Sequence, residues 1–79
     1  MANHVLKTNA EFFQHTNYGL KNFEVRKNDR NFQVGDYLFL LEYQDGKPTG
    51  KEIRRRVTYI LRGGQSGIGH EYVVMQLEK

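Results

Sequence analysis

Lys21, Glu24 and Arg26 are the residues best placed to do chemistry. They stand three and two positions apart in Gly19-Leu20-Lys21-Asn22-Phe23-Glu24-Val25-Arg26. In an extended chain, side chains two apart share a face, so Glu24 and Arg26 form a pair on one side of a strand. Lys21 sits at the start of that strand. A carboxylate beside a guanidinium orients the planar fork and leaves its other N–H donors for a phosphate or a base edge. Lys21 supplies a point charge or, if desolvated, a basic amine. The same residues can equally form a solvated face whose ion pair contributes little to stability. Residue type leaves both readings open.

Further cations follow. Lys27 and Arg30 continue the first basic stretch, and Arg54-Arg55-Arg56 forms a second. Strand alternation puts Arg54 and Arg56 on one face and Arg55 on the other, so the triplet is no single patch on a regular strand. Either a bulge intervenes, or Arg55 crosses the barrel end to a carboxylate. Tyr18, Phe32, Tyr43, Tyr59 and Tyr72 are possible stacking residues for exposed bases, although in a small domain each serves a core equally well. His4, His15 and His70 lack the helical spacing of a zinc pair, and no cysteine can complete a site, so no metal is expected. His70 adjoins Gly63-Gly64-Gln65-Ser66-Gly67-Ile68-Gly69 and can meet a ligand there. That glycine-rich stretch matches neither a phosphate-binding loop nor a nucleophile elbow, because Ile68 stands where the elbow requires glycine. A flexible loop, able to cover a ligand, is the reading it supports.

The elements that must position these residues are short. His4–Lys7 reads as a strand. Thr8-Asn9-Ala10-Glu11 has capping-box spacing, which predicts a helix of about three turns that opens at Thr8 and closes at Gly19. From residue 22 the period changes to two, with Phe23 and Val25 on one face and Glu24 and Arg26 on the other. Residues 27–31 supply a turn, and Val34-Gly35-Asp36 a second one into the apolar strand Tyr37–Tyr43. Asp45-Gly46 signals a hairpin. In the long strand from Lys51 to Leu61, Ile53, Val57, Tyr59 and Leu61 form one alternating set. Glu71–Glu78 closes the chain.

These five strands and one early helix predict an α+β, mostly β, domain spanning residues 1–79. Closure of the sheet into a small barrel, with the helix at one end, removes its exposed edges. The chain has 79 residues, 12 Lys plus Arg, 9 Asp plus Glu, no Cys and no Trp. Folds with two mononucleotide halves and TIM barrels are too large for it. Disulfides, cysteine-ligated metals and thiol nucleophiles are excluded by composition. No apolar run is long enough to span a bilayer, and Met-Ala-Asn-His does not open a leader sequence, so no membrane and a cytoplasmic location are expected. The positive excess falls at 21–30 and 51–62, which sum to +2 and +4. This permits an anionic partner without demanding one.

Residues 19–26 resemble the G-x-K-x-x-E-x-R signature of ASCH domains. The wider set Phe23–Arg30, Phe32, Val34–Asp36, Glu42-Tyr43, Thr49-Gly50, Val57–Leu61 and Tyr72–Val74 resembles the single-domain DUF3850 group, over His4 to about Leu77. The resemblance implies a PUA-like fold, a small curled β-barrel with a helix near its opening. It also implies RNA binding in a cleft beside the signature strand, lined by Lys21, Glu24 and Arg26. Lys27, Asp29 and Arg30 match the group's extension. A small bacterial kind of ASCH protein removes the acetyl group from N4-acetylcytidine with the signature lysine, a threonine at the signature glutamate's position and a distant glutamate. Here Lys21 is kept, Glu24 replaces the threonine, and Glu71 and Glu78 are the nearest C-terminal carboxylates. A carboxylate does not replace a hydroxyl that must donate a proton or attack.

The expected function is thus a non-catalytic module for single-stranded RNA or a modified or flipped base, without cofactor. Lys21, Arg26, Arg30 and Arg54 would contact anions, joined by Lys27 and His70. Glu24 would orient Arg26 or accept from a base amine. The alternative is a small nucleoside or nucleotide amidohydrolase using Lys21, Glu24 and Glu71, with the glycine loop over its substrate. A third reading is a module for a protein partner.

Overall fold

Period-two patterning builds most of the chain. The computed structural model describes residues 1–79. It contains β1 (Asn3–Asn9), α1 (Ala10–Asn17), β2 (Phe23–Lys27), β3 (Tyr37–Gln44), β4 (Lys47–Arg62) and β5 (Tyr72–Glu78). One mixed sheet runs in the order β1-β3-β4-β5-β2. Only β1 and β3 are parallel; the other neighbours are antiparallel. The sheet curls into a half-barrel, and the fold class is mostly-β α+β, as the pattern predicted. No helix is long and apolar enough to cross a membrane.

The concave face carries the core. Leu6 from β1, Leu38 and Leu40 from β3, Val57 from β4 and Val73, Met75 and Leu77 from β5 close around Phe13 and Phe32. Each fully buried apolar side chain of this size stabilises the fold by about 1.5–3 kcal/mol. Phe13 is the residue by which α1 docks. The helix is shorter than its pattern suggested, with eight residues rather than three turns. Its cap is Asn9, whose side chain accepts from the Glu11 N–H at 3.0 Å. Thr8 is not the cap, because β1 continues through it and turns its side chain inward, where it is buried.

One departure from simple alternation decides which way the end of β4 faces. A bulge between Val57 and Tyr59 takes up one residue. Beyond it Tyr59 is exposed and Ile60 packs on the core, the reverse of the expected set. The arginine triplet precedes the bulge and keeps its alternation. Arg55 points inward, 7% exposed. It meets no carboxylate: Nη2 donates to the Thr16 carbonyl at 3.2 Å. A guanidinium there complements the negative end of α1.

Turn chemistry follows backbone demands. Asp45 and Gly46 both have positive φ, 52° and 76°, the twist that a two-residue hairpin requires. Gly63 is needed for another reason, since a Cβ there would lie 1.8 Å from the Gly69 carbonyl oxygen. The glycine-rich stretch is therefore an ordered, self-bonded turn rather than a loose loop. Gly64 N–H donates to Ile68, Ile68 N–H to Gln65, and Tyr72 N–H to Gly69, all at 2.8–2.9 Å.

The two sheet edges, β1 and β2, are not paired to each other. Arginines span the seam. Arg26 Nη2 donates to the Lys7 carbonyl at 3.0 Å, and Arg30 Nη1 to the Val5 carbonyl at 2.7 Å.

Candidate ligand cleft

The short strand β2 reverses the usual rule for a half-buried strand. Glu24 and Arg26 face inward, and Phe23 and Val25 face out, 45% and 53% exposed. A carboxylate on the inner face needs partners, and Glu24 has two. Its side chain is 4% exposed; Oε2 accepts from Lys21 Nζ at 2.8 Å and Oε1 from Arg26 Nε at 2.9 Å. Desolvation of Glu24 is thereby offset by two charge-assisted bonds. The inversion follows from this network, which apolar residues could not have formed.

Each cation is also tied to the backbone. Lys21 Nζ donates to the Phe23 carbonyl at 2.7 Å, and Arg26 Nη2 reaches Thr8 Oγ1 at 3.2 Å besides the Lys7 carbonyl. An ammonium has three donors and a guanidinium five. One Lys21 donor and the Arg26 Nη1 group therefore remain without a protein acceptor. Both oxygens of Glu24 are occupied, so its role here is to orient its neighbours.

These groups line an open cleft of about 610 Å³ between β1, the start of α1 and β2. Lys7, Thr8 and Asn9 form one wall, with Phe12 and His15 from the helix and Phe23 opposite. Lys21 Nζ lies 5.7 Å from the Phe12 ring centroid and 4.8 Å from that of Phe23. The volume is in the range of small-molecule sites. The chemistry on offer is hydrogen-bond donation by two fixed cations, one of them, Lys21, between two half-exposed rings.

The other residues singled out from the sequence lie elsewhere. Lys27 faces Glu71 at 3.8 Å on the surface, outside the cleft, so Glu71 is not brought to Lys21 and Glu24. Arg30 sits on the seam, Arg54 projects from the outer face of β4 above Tyr37, and exposed His70 follows the glycine turn. None of them, nor any residue of the glycine turn, lines the cleft. Of the histidines, His15 is the one that does. His4 is no surface residue, for its ring is 2.8 Å from buried Asp36. No three His, Asp or Glu side chains converge as metal ligands.

A family model described as a domain of unknown function, DUF3850, matches residues 3–77. The chain belongs to the DUF3850 family. It is 40% identical over 55 residues to a protein of Escherichia phage P2 bearing the name "Uncharacterized 12.9 kDa protein in GpA 3'region". The match covers 70% of this chain and 50% of the phage protein, so it takes in about half of that relative. Within the DUF3850 span lie both walls of the cleft and all of the network around Glu24.

Sequence reasoning did not assign Phe12 and Phe23 to the cleft. Phe12-Phe13 reads as helix core, yet only the second can face the sheet, and its neighbour is then turned toward β2. Buried Glu42 was also not singled out. Its Oε1 accepts from Thr49 Oγ1 at 2.6 Å, and Gln14 Nε2 stands 3.5 Å from Oε2. The signal available was a lone acid at an inward position of the strand holding Leu38 and Leu40.

Proposed function

We propose that this DUF3850 chain is an ASCH-type, PUA-like domain that binds an unpaired or modified base of single-stranded RNA in the cleft beside β2. A cytoplasmic setting fits that partner. The observation that carries the reading is the arrangement around Glu24: a buried carboxylate fixes an arginine and a lysine, the lysine between two half-exposed phenyl rings. Fixed donors suit phosphate and carbonyl oxygens, and the rings suit the face of a base. Lys21 and Arg26 bind the anion, Glu24 positions both, and Phe12 and Phe23 flank the base. Lys7 adds positive charge at the rim.

A backbone-amide NMR titration with short single-stranded RNA, the matching duplex, cytidine and N4-acetylcytidine tests the reading. Shifts should cluster on residues 7–12 and 21–26 with the single strand. Lys21→Ala and Arg26→Ala should each weaken binding about tenfold and flatten its salt dependence. Unchanged affinity in both variants overturns the assignment. Conversion of N4-acetylcytidine to cytidine would instead favour the amidohydrolase alternative.

A further inference from the structure

A second surface on the molecule has the same chemistry without the cleft. Along the outer face of β3, Tyr37, Phe39, Leu41 and Tyr43 stand at alternate positions, each half-buried. Successive side chains on one face are about 6.8 Å apart, so the row runs about 20 Å. Register places Lys7 of β1 beside Leu41 and Arg54 of β4 beside Phe39. Both cations lean over rings: Arg54 is 5.1 Å from the Tyr37 centroid and Lys7 5.2 Å from that of Tyr43. Neither belongs to an ion pair. Glu52 is the single acid among the outward residues that pair with this row.

The row also has a direction. Its Tyr43 end lies beside Asn9 and under Lys7, both of which line the cleft. Its Tyr37 end lies six residues away at Arg54. A strand of polyanion leaving the cleft past Lys7 thus meets an apolar row of three rings and Leu41, with a cation at each end.

We infer that the outer face of β1, β3 and β4 is a stacking platform for the stretch of single-stranded RNA that flanks the nucleotide held in the cleft. The inference rests on the RNA reading of the cleft. It adds roughly three nucleotides of contact, the number that aromatic residues on an open sheet commonly stack. Charge complementarity selects a polyanion, and the row of rings selects one with unpaired bases.

Fluorescence anisotropy with labelled single-stranded RNAs of about three and about eight nucleotides tests this, the longer being within the site size of a small domain. The longer RNA should bind at least ~10-fold tighter. Arg54→Gln and Tyr37→Leu should each weaken the longer RNA about fivefold or more and leave the shorter unchanged. Arg54→Gln should also lower the salt slope by about 0.7. Both variants are first checked for folding by amide NMR, and Arg54→Gln alters only an exposed side chain. The platform is overturned if the two RNAs bind equally and neither variant matters, while loss of both on Lys21→Ala would leave the cleft reading standing. Sensitivity to Arg54 and Tyr37 but not to Lys21 would keep the platform and sink the cleft. Equal binding of a duplex, or equal competition by polyglutamate, overturns stacking and leaves charge alone.

Discussion

Glu24 and Glu42 are equally buried, at 3% exposure, and keep very different company. Glu24 lies between two cations that keep unused donors facing an open cleft. Glu42 meets an alcohol and an amide, Thr49 and Gln14, which tie the β3–β4 hairpin to α1. Burial alone therefore does not mark a binding site. What marks it is the hydrogen-bonding capacity left over on the partners, which is substantial around Glu24 and slight around Glu42.

The contrast can be broken by substitution. The largest effect should come from Glu24→Ala, which strands Lys21 and Arg26 together. Loss of one partner from a buried pair costs about 3–5 kcal/mol, and the lower end applies because both cations keep some water contact. Urea unfolding with an unchanged slope should read the loss, and a change below about 1 kcal/mol would show that the network does not hold the edge strand. Glu42→Ala should cost about 2 kcal/mol, since it removes two hydrogen bonds to a charged group. RNA affinity should fall with Glu24→Gln and survive Glu42→Gln. Equal loss in both would erase the distinction.

A third buried carboxylate sharpens the picture. Burial acts to raise the pKa of Asp36, but the Ala2 N–H, the His4 ring and the Gln33 N–H outweigh it and hold the group below its ordinary value near 3.8. The folded state then binds fewer protons than the unfolded one in this range, so stability rises with pH there. The contribution of Asp36 should be fully present above that ordinary value. It should disappear as pH falls through the folded-state value below it, and Asp36→Asn should flatten this part of the acid-unfolding profile. The smallest effect expected is from Thr49→Val, about 1 kcal/mol, measured in the same urea series.

Much of this was legible in the residues. The spacing of Glu24 and Arg26 puts both on one face of a strand, and Asp45-Gly46 fixes a hairpin because few other pairs tolerate its backbone angles. Alternation does not say which face is inner. On β2 it is the charged one, because Lys21 precedes the strand and can fold back onto Glu24. The bulge after Val57 leaves no mark in composition, so the facing of Tyr59 and Ile60 was not legible. The direction of Arg55 was not legible, since a bulge in the triplet would have turned it outward. Nor was its acceptor, since the Thr16 carbonyl belongs to a helix end brought near only by tertiary packing. The helix cap was ambiguous by one residue because Thr8 and Asn9 can both cap; the inward demand on Thr8 decided it.

The arginine seam has a consequence for how copies of this molecule behave in a crowded solution. An unpaired edge strand offers acceptors that a foreign strand can use to dock and propagate. On β1 the alternate acceptors at Val5 and Lys7 are already taken by Arg30 and Arg26. The side chain proposed to hold a ligand also screens this edge from self-association, so losing Arg26 should expose the chain to aggregation as well as disturb the cleft.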